Sequence, residues 1–364
     1  MAGAMLAVEH AIARMLDEVQ LLAECVEIPL TDALDAVLAQ SVVSQINVPG
    51  YDNAAMDGYA LRAAEVQPDK PLAVVGAALA GHAFSDTVPV GSCVRITTGA
   101  VLPPGLDTVV MQEQATVTQL NEQQQILCKL QPDTGEHVRR AGEDIALGAQ
   151  VFAAGHKLRP VDIGLLASLG IATVKVWRKL KVAVFSSGDE LVPPGEPLPT
   201  GHIYDSNRYV IAAMLQRLGV EVIDLGLLPD DPDAIEQAFL QAMQQADALI
   251  TSAGVSVGDA DYTRQILQKL GQINFWQVAI KPGKPFAFGK LDNCWFFGLP
   301  GNPVAAVVTL EQLVQPVLRK LTGEASTEHG IKLTAESIVP LKKQAGRADY
   351  QRGWFWQDEQ GLKV

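Results

Sequence analysis

At 364 residues, nearly half of them apolar, the chain has enough material for two or more domains with sizeable cores. Its 28 lysines and arginines against 41 aspartates and glutamates leave a formal net charge of −13. That balance argues against non-specific nucleic-acid binding and against a role on an anionic membrane surface, since both demand a positive face; a small anion would need a local basic pocket.

The opening residues, MAGAMLAVEHAIARML, mix acidic and basic side chains into an apolar period. They read as an amphipathic helix and not as a signal peptide, and no run in the chain reaches the length of a membrane span. A cytoplasmic location is predicted. Cys25, Cys93, Cys128 and Cys294 are scattered without a CxxC, and the six histidines show no HExxH spacing. Buried free thiols are therefore expected, rather than disulfides or a zinc site.

Helical periodicity covers 5–22 and 31–41, after which 47-NVPGYDNAAMDGYALR-62 breaks it with Pro, Gly and Asn and reads as a loop between domains. From about 70 to 140, short β-prone pieces (LAVVGA, SCVRITTGA, DTVVMQEQATVTQL, QQILCKL) alternate with Pro/Gly turns, as in a small β-rich domain. The segment 138-VRRAGEDI-145 leads back through loop to a helix over 160–170, with Gly170 as its C-cap.

Beyond 178 the pattern alternates. Strands are predicted at 181–188, 220–228, 246–254, 277–283 and 294–301, with helices at 206–218, 232–245, 260–271 and 303–321. Unbroken apolar strands alternating with helices predict a doubly wound parallel α/β sheet, whose ligands bind at the carboxyl ends of the strands. From 327 the text is β-like again and stops just after a hairpin-turn signal, DEQG, as if a domain were cut short.

Four of those strand ends carry punctuated polar loops. The first, 185-FSSGDELVPPGEP-197, offers Ser187, Gly188 and Glu190; the third, 251-TSAGVSVGDADYT-263, offers Gly254, Ser256 and Gly258 before Asp261. The fourth, 280-IKPGKPFAFG-289, holds Lys281 and Lys284 three residues apart, each followed by a proline, Pro282 and Pro285, a pair that suits an oxyanion. In the fifth, 298-GLPGNPVAA-306, Pro300 and Gly301 precede Asn302, a good N-cap, and Pro303, a good N1 residue, so a helix N-terminus would face an anion there. Carboxylates beside phosphate-binding amides suit a shared divalent metal, Mg²⁺ above all, with Glu190, Asp189, Asp230, Asp231 and Asp261 as its possible ligands. Taken alone, 230-DDPD-233 reads as helix capping before Pro232.

The strings AMDGYA, RITTGA, RRAGEDI, SSGDEL, AGVSVGDADYT, IKPGKPFAFG and GLPGNPVA, in that order, closely resemble the bacterial molybdopterin molybdenumtransferase family, which includes the second enzymatic domain of gephyrin. The resemblance runs from about residue 5 to the end. It implies an enzyme that inserts molybdate into the dithiolene of adenylylated molybdopterin, releases AMP, uses a divalent metal and works as an elongated homodimer. It also implies a linking and dimerisation domain from 1–46 and 140–177, an inserted β-rich domain over 47–139, the α/β domain over 178–326 and the start of a C-terminal β-barrel over 327–364. Catalytic roles carry over to Asp57, Thr98, Asp144, Glu190, Asp230 and Asp261, with Glu190, Asp230 and Asp261 toward the metal. Lys281 and Lys284 carry over toward substrate, and Arg347 and Arg352 are what remains of the molybdate side. Asp57 and Asp144 are the residues best placed to act from a partner subunit.

One departure is Gln277, where many members carry a basic residue. Three other readings compete: the upstream adenylyltransferase, which resembles a lone α/β unit; a gephyrin-like scaffold; and a binding-only carrier. The adenylyltransferase and cofactor-accepting enzymes are candidate partners.

Overall fold

The computed structural model describes residues 5–22, 24–120, 122–252, 261–327, 332–343 and 345–364, and of residues 261–264 and 275 the backbone alone. Its contacts divide the chain into two compact units, one of residues 1–40, 154–163 and 172–364, the other of 41–153 and 164–171.

The larger unit is built on a six-stranded sheet: β1 (Lys181–Ser187), β2 (Glu221–Leu228), β3 (Ala248–Ser252), β4 (Gln272–Gln277), β5 (Pro285–Leu291) and β6 (Cys294–Leu299), in the order β2-β1-β3-β6-β5-β4. The four strands from β2 to β6 are parallel, whereas β5 runs antiparallel to both β6 and β4. The sheet is thus mixed, which corrects the expectation of a purely parallel one.

The reason lies in 277–283. Its apolar residues form no strand of this sheet; Val278 and Ile280 are fully buried in a turn beyond β4, where Ile280–Lys281 makes only a two-residue pairing outside the sheet. Val278 N–H donates to the Lys284 carbonyl, and Ala279 N–H to the carbonyl of Leu6. Burial in a turn mimics the apolar run of a strand, while PFAFG, which reads as part of the loop, opens β5.

Both faces of the sheet are covered. Val182 and Val184 face one core, shared with α1 (Val8–Glu18), α2 (Asn207–Leu218) and the C-terminal helical run. Ala183 and Phe185 face the other, shared with α3 (Pro232–Gln245) and α4 (Asp261–Leu270), where Phe239 sits edge-on between Phe185 and Phe296 at 5.6 and 5.7 Å. This two-residue alternation is what a doubly wound sheet needs. The helical run comprises α5 (Pro303–Thr309), a π-helical stretch (Leu310–Val314) and α6 (Gln315–Leu321).

Residues 31–41 do not form the expected helix. A single 3₁₀ turn, Leu30–Asp32, is followed by extended backbone in which Leu38 N–H donates to His156 and Ala39 N–H to Lys175. Val37 and Leu38 are apolar because they are buried, not because a helix turns there. The predicted hairpin turn at DEQG is present, joining Trp356–Asp358 to Gly361–Lys363.

The smaller unit holds a second six-stranded sheet, in the order Thr108–Met111, Gly58–Leu61, Ser92–Ile96, Leu72–Ala78, Gln123–Cys128, Ala115–Leu120. Gly58–Leu61 falls inside the stretch expected to be loop, yet all four residues are buried in an inner strand. Gly58 marks close approach and not a break: a Cβ there would come 1.9 Å from the Val110 carbonyl oxygen.

All four cysteines are free. Cys93 and Cys294 are buried, and burial pushes each thiol up to about 12, which leaves almost no thiolate at neutral pH. Cys25 departs from the expectation and is exposed. Among the described residues no helix is long and apolar enough to cross a membrane.

Candidate active site

The strand directions bring the expected loops together. Because β5 reverses between β6 and β4, the end of β4 and the start of β5 lie at the same sheet edge as the carboxyl ends of β1, β2, β3 and β6. That edge therefore collects Ser187–Glu190, Asp230–Asp231, Ser252, the turn 278–284 and Pro300–Pro303.

At its centre is a small pocket of about 50 Å³ lined by Ser187, Glu190, Ser206, Asn207, Ser252 and Gly301, among others. Ser187, Asn207 and Ser252 are buried there. After Glu190 the chain makes a two-residue parallel ribbon, Leu191–Val192 with Ile203–Tyr204, before Asp205 and Ser206 lead into α2. Asp189 accepts the Asp230 N–H at 3.1 Å, which holds the loop after β2 against the loop after β1.

Local capping accounts for two of the loops. Asn302 caps α5, its side-chain oxygen accepting the Ala305 N–H at 3.1 Å, with Pro303 at the first turn. Asp231 caps α3 in the same way, accepting from Ala234 at 2.9 Å, which is the capping role that its DDPD context suggests. Each cap satisfies one of the orphan amides of a helix start.

The lysine turn is shaped by its neighbours. Ile280–Lys281 pairs in parallel with Ala348–Asp349, and the Lys281–Pro282 bond is cis. Gly283 has φ +111°, and a Cβ there would meet Thr309 Oγ1 at 2.5 Å, so the turn lies directly on α5. Lys281 Nζ is 3.2 Å from Asp349 Oδ2, and that ammonium holds the Asp349 carboxyl below the usual carboxylate range. The Lys284 side chain is exposed, with no ion pair among the described residues.

A larger pocket of about 400 Å³ runs along α5, shares Ser206 and Pro303 with the small one, and takes Tyr350 and Arg352 into its wall. Arg347 lies elsewhere, in a surface pocket with Ala7, Glu9 and Lys343, so the two arginines are not brought to one place. Gly254, Ser256 and Gly258 lie outside the described residues, and Asp261 is described only as the backbone start of α4.

In the smaller unit, Asp57 accepts both the N–H and the hydroxyl of Thr98, at 2.7 and 2.8 Å. Those two bonds hold its carboxyl below the usual range. Asp144 is paired with Arg139 at 2.5 Å, and Arg139 also reaches Glu143. Asp52 pins the same loop, accepting from Ala141 N–H and from the Arg140 guanidinium at 2.8 and 2.7 Å.

The family model for the "MoeA N-terminal region (domain I and II)" matches residues 6–170, and that for the "Probable molybdopterin binding domain" matches 183–320. A molybdopterin molybdenumtransferase of Haemophilus influenzae is 49% identical over 357 residues, which is 98% of this chain and 88% of that protein. The chain belongs to the molybdopterin molybdenumtransferase family. A Nostoc relative of the same name is 39% identical over 86% of this chain and 73% of its own. Two crystal structures of MoeA proteins from Pyrococcus horikoshii agree in fold. One has a TM-score of 0.84 at 26% identity, covering 99% of this chain and 89% of that one; the other has 0.76 at 32%, covering 88% and 81%.

The polar part of the small pocket's wall is carboxylate, hydroxyl and amide, and among the described residues no thiol or imidazole lines it. That donor chemistry fits a hard divalent cation such as Mg²⁺, which needs only one or two protein carboxylates when substrate phosphates share it. Among the described residues no three of His, Cys, Asp and Glu come together as a ready-made cage. Sequence reasoning passed over Asn207 and Asp349. The string 203-IYDSNR-208 held a signal for the first, since polar residues crowd the start of a helix at a strand edge.

Proposed function

We propose that the chain is a molybdopterin molybdenumtransferase that acts on adenylylated molybdopterin, inserting molybdate into its dithiolene with release of AMP. The observation that carries this reading is the convergence of Ser187, Glu190, Gly301 and the lysine turn at one sheet edge, in a chain of this family. The start of α5 and the serines would bind phosphate oxygens, and Lys284 with Lys281 would bind the doubly charged tetrahedral molybdate. Glu190, with Asp230 and Asp261, would hold Mg²⁺, whose chemistry is to shield the charge of the phosphoanhydride. The adenylyltransferase and the cofactor-accepting enzymes are proposed partners, and the cytoplasm the proposed location. In the direct test, purified protein is given adenylylated molybdopterin and Mg²⁺, and AMP is followed. AMP should appear on addition of molybdate. Release without molybdate would mark a simple hydrolase, and no release with tight binding would mark a carrier.

We further propose a homodimer in which Asp57 and Asp144 complete the partner's site. Asp57 has the form of a working group: exposed, ionised and oriented by two bonds from Thr98. Mixing an Asp57→Asn chain with a Lys281→Ala chain should then restore activity, since one of the two sites in a mixed dimer keeps both residues. Mixed dimers that form but stay inactive would place both residues in one subunit's site.

A further inference from the structure

Asn207 opens α2 at the wall of the small pocket and is only 8% exposed. Its Nδ2 donates to the Gly301 carbonyl at 2.7 Å. A carbonyl can only accept, so this bond settles which end of the carboxamide is which. Oδ1 is then the other end, and it is buried without a hydrogen-bond partner among the described residues. A buried orphan acceptor costs free energy unless something fills it.

The residue is held rigidly. Beside it, the fully buried Asp205 accepts from Ser186 Oγ at 3.1 Å and from Arg208 Nε at 2.8 Å, and Arg208 reaches on to Asp224 at 2.5 Å. Such a network keeps the first turn of α2 from relaxing to satisfy the oxygen internally.

The chemistry of the occupant follows from the wall. Among the described residues the small pocket has no lysine or arginine in its lining, and Glu190 adds negative charge. A phosphate oxygen of an anhydride carries no proton at neutral pH and cannot donate. We infer that Asn207 reads the substrate: its Oδ1 accepts a hydrogen bond from an N–H or O–H group of the adenylylated pterin, while its Nδ2 ties that contact to the Gly301 turn. The inference rests on the proposed function and adds to it a residue that selects for a donor-bearing ring or sugar edge.

The donor could come from the nucleotide half, through a ribose hydroxyl or the adenine amine, or from the pterin half. Calorimetric titration of wild type and Asn207→Ala with AMP and with molybdopterin as separate probes, each with and without Mg²⁺, separates these sources. The variant should lose about tenfold in affinity for one probe and stay within about twofold for the other. The probe that suffers carries the donor. Equal losses for both would mean that Asn207 only steadies the Gly301 turn, and no loss for either would mean that Oδ1 meets no ligand; each result overturns the inference. A loss confined to Mg²⁺ affinity would hand the oxygen to the cation and overturn it as well. Asn207→Ser serves the same test where the alanine variant folds poorly. Wild type that binds neither probe would be a different failure, that of the functional reading itself.

Discussion

Glu190→Gln is expected to slow molybdate-dependent AMP release tenfold or more while leaving the fold intact. Glutamine keeps the size of the side chain and its oxygen but removes the charge. Glu190 is exposed at the rim of the small pocket and lies in a loop, outside both cores. Its replacement should therefore change stability by no more than about 0.5 kcal/mol. A hard cation held by one or two carboxylates loses much of its grip when one becomes neutral. The variant should accordingly need more Mg²⁺ for half-maximal rate and should recover part of the rate at high Mg²⁺. A proton-transfer role would look different, because no concentration of Mg²⁺ replaces a base. The measurement is single-turnover AMP release across a Mg²⁺ titration, with thermal unfolding as the control. A variant with wild-type rate and wild-type Mg²⁺ dependence would remove Glu190 from the chemistry.

What could be seen in the sequence was chemistry between near neighbours. Asn302 and Pro303 declare a helix start within four residues, and the structure has the cap there. Strands β1, β3 and β6 were legible because both faces of each are covered, so their apolar runs are unbroken, whereas β2, at the sheet edge, is interrupted by the exposed Asp224. The misreadings share one cause, the burial of residues outside regular elements. Val278 and Ile280 are apolar for a turn, and Val37 and Leu38 for an extended segment. Each imitated the period of an element that is not there. Gly58 erred in the other direction, since a glycine admitted by a neighbouring carbonyl looks like one that breaks a strand.

The site residues that escaped depend on distant partners. Asn207 acquires its role from Gly301, 94 positions away, and Asp349 from Lys281, 68 positions away. No local pattern encodes such a pairing. The lysine pair is therefore not two bare ammonium groups: Lys281 already has a counter-charge, and the strand pairing of Ile280–Lys281 with Ala348–Asp349 keeps it in place.

That counter-charge gives the lysine turn a test in which two substitutions act in opposite directions. Among the described residues Lys284 has no counter-charge, so Lys284→Ala should weaken molybdate binding about tenfold or more, the loss of one charge-assisted hydrogen bond discounted for its exposure. Lys284→Arg should not restore it fully, because a planar fork does not replace a compact point charge in a turn stiffened by Pro282 and Pro285. Asp349 competes with the oxyanion for Lys281 and adds a like charge beside it. Asp349→Asn should therefore strengthen molybdate binding several-fold, about fivefold at low salt and less as screening grows. The Asp349 carboxyl is held below the usual carboxylate range by Lys281, so it stays ionised at every pH near neutrality. The gain from the asparagine should be equally present at pH 6 and pH 8. Its source is a charge and not a titration. Binding of molybdate and of the adenylylated pterin is to be measured on the same three proteins. If the lysines instead gripped a phosphate of the pterin substrate, Lys284→Ala would lose the pterin and keep molybdate. If Asp349 served to aim Lys281 at its ligand, Asp349→Asn would weaken molybdate binding. Either outcome would sink the assignment of the turn as the oxyanion site with Asp349 as its internal competitor.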